Sequence, residues 1–335
     1  MPSAYICTPG LLLNLKAIRI HDCGSPDVLR YEEVPNPAVA DDLAIVRLEA
    51  IGVNFVDTQV RSGLVKVRLP VIPGQEGSGL ITAIGSQANG LEEGDTVAYT
   101  GVLGAYAQYA AVPTWRLVRL PHQFDARTAA AVMLQGMTAH YLTHDTCRIK
   151  EDDFVLVHAG AGGVGLLLIQ MAKHLGAYVI ATTSSEEKAP VAREAGADVV
   201  IVYPQQDFEA EVKETTNGVG VNVVYDSVGR TTFEKGLKCL APKGIMVLFG
   251  QSSGEVPSFS VGQLAKGSLF LTRPMLIDHT ASRAELERRA TSVFELVQSG
   301  LLRVRVSKTL QLAQAAEAHR LLESRGTTGK LLLVP

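Results

Sequence analysis

The sequence predicts an α/β protein with two parts, a β-rich, barrel-like part and a doubly wound parallel sheet. Up to about residue 125, short runs of β-branched or alternating apolar residues are separated by Gly and Pro turns, as in antiparallel barrels. Beyond that point near-continuous apolar strands alternate with helical patterns, which is typical of a parallel sheet with helices on both faces. The length of 335 residues is enough for two domains with large cores.

The β-rich part is predicted from period-two patterns and turn signals. Pairs such as Pro73-Gly74 and the Glu93-Gly-Asp95 turn separate the apolar runs. An Ala-rich stretch at 125–145 then predicts the first long helix. The strands predicted before that helix are 16–20, 44–48, 79–84, 96–99 and 105–112.

The second part is predicted from short, continuous apolar runs that alternate with helices. Helices are expected at 164–175 and 186–195. The strands predicted here are 154–158, 178–182, 199–202, 221–225, 245–249 and 269–272. The end of the chain is predicted to contain an amphipathic helix at 282–299, a basic strand at 302–306, a short helix at 312–322 and a strand at 330–334.

Composition excludes several classes of protein. An apolar fraction of 47% is too high for a disordered chain, and a net charge of −3 provides no basic surface for nucleic acid. The four cysteines form no Cys-x-x-Cys pair, which favours reduced thiols over disulfides. The longest apolar stretch, 159–172, is too short to span a bilayer. We therefore expect a soluble, cytoplasmic protein that binds neither membranes nor nucleic acids.

The strongest local signal is the glycine-rich segment His158-Ala-Gly160-Ala-Gly162-Gly-Val-Gly165. It follows an apolar strand and opens a helix, which is the context that a dinucleotide-binding G-x-G-x-x-G motif requires. Gly160 permits the tight turn, Gly162 lets a pyrophosphate approach the backbone, and Gly165 lets the helix pack close to the strand. The free N–H groups at the start of the helix favour bound phosphate.

The end of the next predicted strand indicates which dinucleotide binds. An NAD site has an Asp or Glu there, about 20 residues after the glycines, for the adenine ribose hydroxyls. This chain has Ser184 and Ser185 with Lys188 shortly after, and Glu186 and Glu187 fall on the following helix. Hydroxyls and a cation suit a 2′-phosphate, so NADPH is the predicted cofactor. The alternative is that Lys188 is only a solvated helix residue.

A set of short motifs occurs in a fixed order along nearly the whole chain. They are Gly52-Val-Asn54-Phe-Val-Asp57, Pro73-Gly-Gln-Glu76-Gly-Ser-Gly79, Glu93-Gly-Asp95, Gly162-Gly-Val-Gly165, Tyr225-Asp-Ser-Val-Gly229 and Phe249-Gly-Gln-Ser-Ser253. Together they resemble the medium-chain dehydrogenase/reductase superfamily and, within it, the zinc-free, zeta-crystallin-like quinone oxidoreductases. The resemblance covers residues 16–335 and is much more specific than the glycine turn alone.

The resemblance implies how the chain is divided and assembled. A GroES-like catalytic domain would comprise residues 1–125 and 273–335, with 1–15 as an extra N-terminal arm, and a Rossmann domain for NADPH would comprise 126–272. The superfamily also implies a homodimer that pairs edge to edge through the strand at 269–272. An exposed strand edge is prone to such pairing.

The resemblance also implies a set of site residues. Asn54 and Thr138 would line the pocket of the nicotinamide and the substrate and are the predicted catalytic residues. Each has a plainer interpretation, since Asn54 could cap a helix and Thr138 could bond within its own helix. The residues implied to bind cofactor are Asn54, Thr138, Gly162, Gly163, Val164, Ser184, Lys188, Tyr203, Ser227, Phe249, Ser252 and Arg325.

No metal is predicted. The zinc-dependent relatives have a Cys where this chain has Asn54 and a His where it has Gln75, and amides are poor ligands for Zn²⁺. His140 and His144 lie one helical turn apart, but they lack the Glu of an H-E-x-x-H motif and an evident third ligand. Packed or solvated histidines are the preferred interpretation.

The predicted activity is metal-free transfer of hydride from NADPH to a quinone or another electron-poor small molecule. Near relatives have a Tyr where this chain has Gln59, which offers no aromatic face for a quinone ring. Reduction of activated C=C bonds in enones or 2-alkenals is therefore the main alternative. Another is a nucleotide-binding protein with little turnover.

Overall fold

The N-terminal part of the chain is built from strands that pair mainly antiparallel. The computed structural model describes residues 14–335. The elements here are β1 (Asn14–Arg19), β2 (Arg30–Pro35), β3 (Leu43–Val53), α1 (Phe55–Ser62), β4 (Glu76–Ile84), β5 (Thr96–Thr100), β6 (Tyr109–Pro113) and β7 (Val118–Arg119). β1 and β2 pair with each other, whereas β3 to β7 belong to a seven-stranded sheet.

The middle of the chain forms a six-stranded sheet in which every strand pair is parallel. Its elements are α2 (Ala126–Tyr141), β8 (Phe154–Val157), α3 (Gly163–His174), β9 (Tyr178–Thr183), α4 (Ala189–Glu194), β10 (Val199–Val202), α5 (Phe208–Thr215), β11 (Val221–Asp226), α6 (Phe233–Lys238), β12 (Leu240–Leu248) and β13 (Phe270–Thr272). The strand order is β10-β9-β8-β11-β12-β13. This order has its switch point between β8 and β11, where doubly wound sheets bind ligands.

The C-terminal part of the chain adds two strands to the seven-stranded sheet. It contains α7 (Arg283–Gln298), β14 (Val306–Gln311), α8 (Ala315–Glu323) and β15 (Lys330–Val334). β15 pairs antiparallel with β3 and parallel with β14, which places the C-terminal strands in one sheet with strands β3 to β7. The α/β fold with a β-rich unit and a doubly wound unit is therefore as the sequence predicts.

Helix α2 joins the two sheets. Asp125 accepts a hydrogen bond from the backbone N–H of Thr128 at 2.9 Å and so caps the helix. Ala130 and Ala131 pack with Ala50 of β3 and Leu332 of β15, and these small side chains let the helix approach the seven-stranded sheet closely. Other α2 side chains pack into the core that covers the six-stranded sheet. The helix is therefore shared between both cores.

The predicted strand at 302–306 is wrong, because the β14 ladder begins only at Val306. Leu302 is buried in the core under α2 and α7 instead. The side chain of Gln170 accepts from the backbone N–H of Arg303 at 2.7 Å and donates to its carbonyl at 3.2 Å. These two bonds replace the pairing that a strand would have made.

Three elements of the structure were not predicted from the sequence patterns. They are β2, α5 and α6, and the two helices are only 8 and 6 residues long.

Most of the predicted arm at 1–15 lies outside the described residues, and its last two residues begin β1. Within residues 14–335, no helix has the length and apolar character needed to cross a membrane. The described cysteines, Cys23, Cys147 and Cys239, are free thiols.

Candidate active site

A cleft of about 600 Å³ lies between the six-stranded and the seven-stranded sheets. Its walls come from three separate parts of the sequence, namely β3 to α2, the ends of the parallel strands, and the segments around β13 and β15. Every predicted site residue lines it: Asn54, Thr138, Gly162, Gly163, Val164, Ser184, Lys188, Tyr203, Ser227, Phe249, Ser252 and Arg325. The fold therefore brings the whole predicted set into one cavity.

The glycine turn connects β8 to α3. The backbone N–H of Gly160 donates to Thr182 at the end of β9, at 2.8 Å, and that of Gly162 donates to Ala159 at 2.9 Å. Ala159 has a φ of +54°, which shows how sharply the chain reverses here. Helix α3 begins at Gly163, so its first N–H groups face the cleft end of the turn.

Side chains are excluded at some glycines of this turn and not at others. A Cβ on Gly165 would lie 2.3 Å from the carbonyl oxygen of Ala159, and one on Gly160 would lie 2.8 Å from the Cβ of Ala181. A Cβ on Gly162 would meet only Ala159, at 3.1 Å. Gly165 and Gly160 are therefore needed for packing, whereas Gly162 leaves a space beside the helix N-terminus in which a phosphate group fits.

A buried carboxylate orders the loop after β11, and a backbone hydrogen bond joins that loop to the loop after β12. Asp226, at the end of β11, accepts from the backbone N–H groups of Val228 and Gly229 at 2.7 and 3.0 Å and from the Thr232 hydroxyl. The carbonyl of Ser227 accepts from the N–H of Ser252 at 3.0 Å. These bonds position the predicted Ser227, Phe249 and Ser252 at the carboxyl ends of adjacent strands.

Lys188 and Arg325 form a cationic group at one end of the cleft. The Lys188 ammonium donates to the carbonyl oxygen of Arg325, and the Arg325 guanidinium donates to the carbonyl of Ser252 at 2.9 Å. Burial, followed by the charge of Arg325, lowers the pKa of Lys188. Within the described chain neither cation has a carboxylate within ion-pair distance, so the group suits an anion such as a 2′-phosphate. Ser184 and Tyr203 line the cleft with this group.

Asn54 belongs to a buried polar cluster at the other end. Its Nδ2 donates to Glu76 at 2.8 Å and to the carbonyl of Gly52 at 3.3 Å, and its Oδ1 accepts from Lys330 at 2.7 Å. The Lys330 ammonium also lies 2.5 Å from Glu76, and both residues are at most 1% exposed. Asn54 directly precedes α1 as the capping interpretation expects, but its amide is held by this cluster.

Glu76 also fixes helix α2. Its second carboxylate oxygen accepts from the backbone N–H of Leu134 at 2.6 Å. Thr138, one turn further along the helix, donates its hydroxyl to the carbonyl of Leu134 at 2.7 Å. The hydroxyl therefore bonds within its helix, as the plainer interpretation of Thr138 holds, while the residue still lines the cleft.

A second polar chain lies behind Asn54. Asp57 accepts from the backbone N–H of Asn54 at 2.8 Å and from the Tyr106 hydroxyl at 3.2 Å. That hydroxyl also lies 3.0 Å from Nε2 of His319. Burial raises the pKa of Asp57 to about 7, against the lowering effect of the Asn54 N–H and of the charge on Lys330. Burial lowers the pKa of His319 to about 3, so this ring is neutral.

His140 and His144 do not form a metal site. Their rings stack in parallel with centroids 4.2 Å apart, and Nδ1 of His140 lies 2.9 Å from the Arg289 guanidinium. Burial lowers the pKa of His140 to about 3, with a contribution from His144. Residues 14–335 contain no group of three or more His, Cys, Asp or Glu side chains placed to hold a metal ion.

Sequence reasoning did not assign roles to several residues of the cleft. Glu76 stands in a quoted motif, and Lys330 is a single cation at the start of an apolar strand, which is an unusual place for an unpaired charge. That oddity is the signal that could have pointed to a buried pair. Arg116 and Tyr141 also line the cleft, and no sequence pattern distinguishes either of them.

Family models match both halves of the described fold. The model for the alcohol dehydrogenase GroES-like domain matches residues 40–122. The model described as zinc-binding dehydrogenase matches residues 163–289. These matches fall on the seven-stranded sheet and on the six-stranded sheet, respectively, with the second extending into α7.

Individual relatives match nearly the whole chain. A quinone oxidoreductase of Pseudomonas aeruginosa is 42% identical over 323 residues, 96% of this chain and 99% of the relative. A 2-haloacrylate reductase of a Burkholderia species is 39% identical over 94% of this chain and 98% of its own length. The crystal structure of Escherichia coli quinone oxidoreductase complexed with NADPH superposes with a TM-score of 0.93 at 41% identity, covering 96% of this chain and all of that one. The chain therefore belongs to the quinone oxidoreductase family of the medium-chain dehydrogenase/reductase superfamily.

Proposed function

We propose that this protein is an NADPH-dependent quinone reductase that works without a metal ion. One observation carries the proposal: a single cleft joins the glycine turn to the cations Lys188 and Arg325 at one end and to the amide of Asn54 at the other. The relatives named quinone oxidoreductase, one of them solved as a complex with NADPH, support the same activity.

The residues of the cleft fit NADPH along its length. The N-terminus of α3 and the open space at Gly162 suit the pyrophosphate. Lys188 and Arg325, with Ser184 and Tyr203 beside them, suit the 2′-phosphate and its ribose, since no carboxylate of the described chain pairs with either cation. When bound, NADPH supplies the hydride that reduces the acceptor.

The remaining residues orient the reactants and exclude water. Asn54 and Thr138 form the wall beside which the nicotinamide and the acceptor would meet, and the Glu76–Lys330 pair holds that wall rigid. Both amide hydrogens of Asn54 already face protein acceptors. For Asn54 to donate a hydrogen bond to an oxyanion that forms on the acceptor, its 3.3 Å hydrogen bond to the carbonyl of Gly52 would have to break. The anion of a reduced quinone takes its proton from water, and no protein acid is needed.

The proposal of a mechanism without a metal ion is based on which side chains stand at the positions of the zinc ligands. The positions at which the zinc-dependent relatives have Cys and His carry Asn54 and Gln75, and both line the cleft as neutral amides. Amide oxygens are weak ligands for Zn²⁺ compared with thiolate and imidazole.

Reduction of activated C=C bonds is the second candidate. The wall of the cleft has Gln59 where near relatives have an aromatic side chain, so a planar quinone ring gains no stacking partner there. The similarity to a 2-haloacrylate reductase supports this candidate too. The same fold and the same cofactor serve both reactions.

We also propose how the chain is divided into domains and how it assembles. Residues 1–125 and 273–335 would form the catalytic domain and 126–272 the cofactor domain. A homodimer would pair through β13, which is an edge strand of the parallel sheet and has Phe270 60% exposed. The protein would be located in the cytoplasm.

An acceptor screen tests the function. Oxidation of NADPH and of NADH is followed with ortho- and para-quinones and, separately, with 2-alkenals. We expect turnover with NADPH and quinones. Fast reduction of alkenals with none of quinones would replace the first candidate by the second, and cofactor binding without turnover of any acceptor would indicate a binding protein.

A further inference from the structure

Arg116 lies in the wall of the cleft at a place that no predicted cofactor contact occupies. It ends the short helical turn Thr114–Arg116 after β6, and it is 7% exposed. Its Nη1 donates to the carbonyl and the hydroxyl of Thr280 at 3.1 and 3.2 Å. Its guanidinium stacks on Trp115, 4.1 Å from the ring centroid. The side chain is therefore held in a defined position.

The charge of Arg116 is not balanced by the protein. The other buried arginines each have a carboxylate partner, Glu323 for Arg61 at 2.6 Å and Asp145 for Arg289 at 2.5 Å. Buried Lys330 pairs with Glu76. Throughout residues 14–335 Arg116 has no carboxylate within 4 Å, and the residues that line the cleft include no Asp or Glu.

A buried, unpaired guanidinium is unfavourable, since water no longer solvates it fully and no counter-charge replaces the water. An anionic ligand in the cleft would remove that cost. Thr100 also lines the cleft, and its hydroxyl is buried without a hydrogen-bond partner in the described structure. The site thus offers a cation that is held in a fixed position.

The anion in question is not part of the cofactor. The pyrophosphate and the 2′-phosphate of NADPH would have other partners, the start of α3 and the pair Lys188 and Arg325, which lie at the ends of the parallel strands and before β15. Arg116 belongs to the seven-stranded side and contacts the loop after β13, where Leu276 and Ile277 add apolar surface to the cleft. Under the proposed function, a charge here would face the acceptor.

We propose that Arg116 binds a carboxylate on the acceptor, so that the preferred substrates are electron-poor quinones or alkenes with an anionic substituent. The inference rests on the proposed function and narrows it to a substrate class. The cations of the segment 64–69, Lys66 and Arg68, do not line the cleft and take no part.

The test uses a 1,4-naphthoquinone with a propanoate side chain and its methyl ester, with NADPH as reductant. We expect kcat/KM of the wild type to be at least about tenfold higher for the acid, as a charge-assisted hydrogen bond provides. Arg116→Gln should raise KM for the acid by about 10- to 100-fold and raise KM for the ester by a much smaller factor. Arg116→Lys should recover part of the preference.

The matched control is Arg119→Gln. Arg119 lies three positions further along the chain, in β7 and outside the cleft, and its 48% exposed side chain pairs with Asp95. It should leave both substrates unaffected. Equal losses for acid and ester in Arg116→Gln would assign Arg116 to the support of the Thr280 loop and overturn the inference, as would a wild type that does not prefer the acid.

Direct binding separates this inference from the proposed function and does not depend on the variant folding. Isothermal titration of the wild-type protein loaded with NADPH should show benzoate binding at least about tenfold more tightly than benzamide. Equal binding of the two would overturn the inference while quinone turnover stands. Turnover of neither naphthoquinone, with benzoate still preferred, would remove the proposed function and leave the anion site.

Discussion

The two ends of the cleft differ in whether their charged side chains are paired with an opposite charge. At the end where we place the reaction (the reaction end), Lys330 and Glu76 are buried and paired with each other. At the end where we place the adenosine of the cofactor (the adenosine end), Lys188 is half-buried and Arg325 is exposed, and within the described chain both have only carbonyl oxygens as partners. The Glu76–Lys330 pair is therefore complete without a ligand, whereas the two cations of the adenosine end, like Arg116, leave positive charge for one.

This difference predicts where a substitution affects stability and where it affects binding. Loss of a paired, buried charge leaves its partner unsatisfied inside the protein. Loss of an unpaired, solvated charge leaves the fold intact and removes only the attraction for the ligand. The first three predictions below test this contrast, in order of decreasing effect, and the fourth concerns the carboxyl group behind Asn54.

Lys330→Met should have the largest effect on stability. It leaves the Glu76 carboxylate buried without its cation, which costs about 3–5 kcal/mol of unfolding free energy. The measurement is urea unfolding of both proteins. The control is Lys308→Met, which breaks the exposed 2.7 Å pair with Glu317 and should cost less than about 1 kcal/mol. Similar losses in the two variants would contradict the picture of a locked reaction end.

Gly165→Ala should disturb the turn that connects the two ends. The new Cβ would lie 2.3 Å from the carbonyl oxygen of Ala159, so the turn must shift. We expect NADPH and NADH to lose affinity together by about a hundredfold, or ~2.7 kcal/mol, in fluorescence titrations. Gly262→Ala, where the nearest atom is 3.3 Å away on Ser260, is the control and should bind both normally. A loss restricted to one cofactor would argue against this role.

Lys188→Glu should affect the adenosine end alone. A carboxylate beside Arg325 repels a 2′-phosphate, so the dissociation constant of NADPH should rise about tenfold or more while that of NADH changes little. The free energy of unfolding should stay near that of the wild type. Lys266→Glu, on an exposed turn, serves as the charge-matched control. Equal weakening of NADPH and NADH would exclude the 2′-phosphate role.

Asp57→Asn should alter how stability depends on pH. Burial raises the pKa of Asp57 to about 7 from the ordinary 3.8, so the folded protein keeps a proton that the unfolded chain releases. The wild type therefore loses stability relative to the variant as the pH rises from about 4 to about 7, by at most about 1.4 kcal/mol per pH unit. Above about pH 7 the difference should stay constant.

Urea unfolding of both proteins across this pH range measures that difference. Comparing the two proteins cancels the titration of other groups, including His140 and His319, whose pKa values are lowered by burial. Asp42→Asn, at an exposed position, should show no such divergence from the wild type. A constant difference between Asp57→Asn and wild type from pH 4 to 7 would show that Asp57 is ionised throughout.

The features that sequence reasoning predicted well are local in the chain. The turn at 158–165 and the hydroxyls and lysine after β9 lie within about one βαβ unit, where spacing reports directly on geometry. The continuous apolar runs located the parallel strands for the same reason. The prediction of a strand at 302–306 was wrong because Gln170, more than a hundred residues away, hydrogen-bonds to the backbone N–H and carbonyl of Arg303.

The features that sequence reasoning missed depend on distant partners. Glu76 and Lys330 are separated by 254 residues, and they meet because β15 pairs with β3 beside β4. Arg116 is distinguished from the paired Arg61 and Arg289 only by which side chains the fold brings near it. No residue type or spacing carries that information.

The two-part α/β architecture, the glycine turn and the preference for NADPH could be predicted from the amino-acid sequence, because each leaves a residue pattern within a short segment of the chain. Which charges are neutralised could be seen only in the folded structure. Pairing depends on burial and on the distance between side chains that the chain does not connect locally, and these are set when the sheets and α2 pack together. That packing pairs Glu76 with Lys330 beside Asn54, and it leaves Arg116 in the wall of the cleft without a carboxylate partner among the described residues.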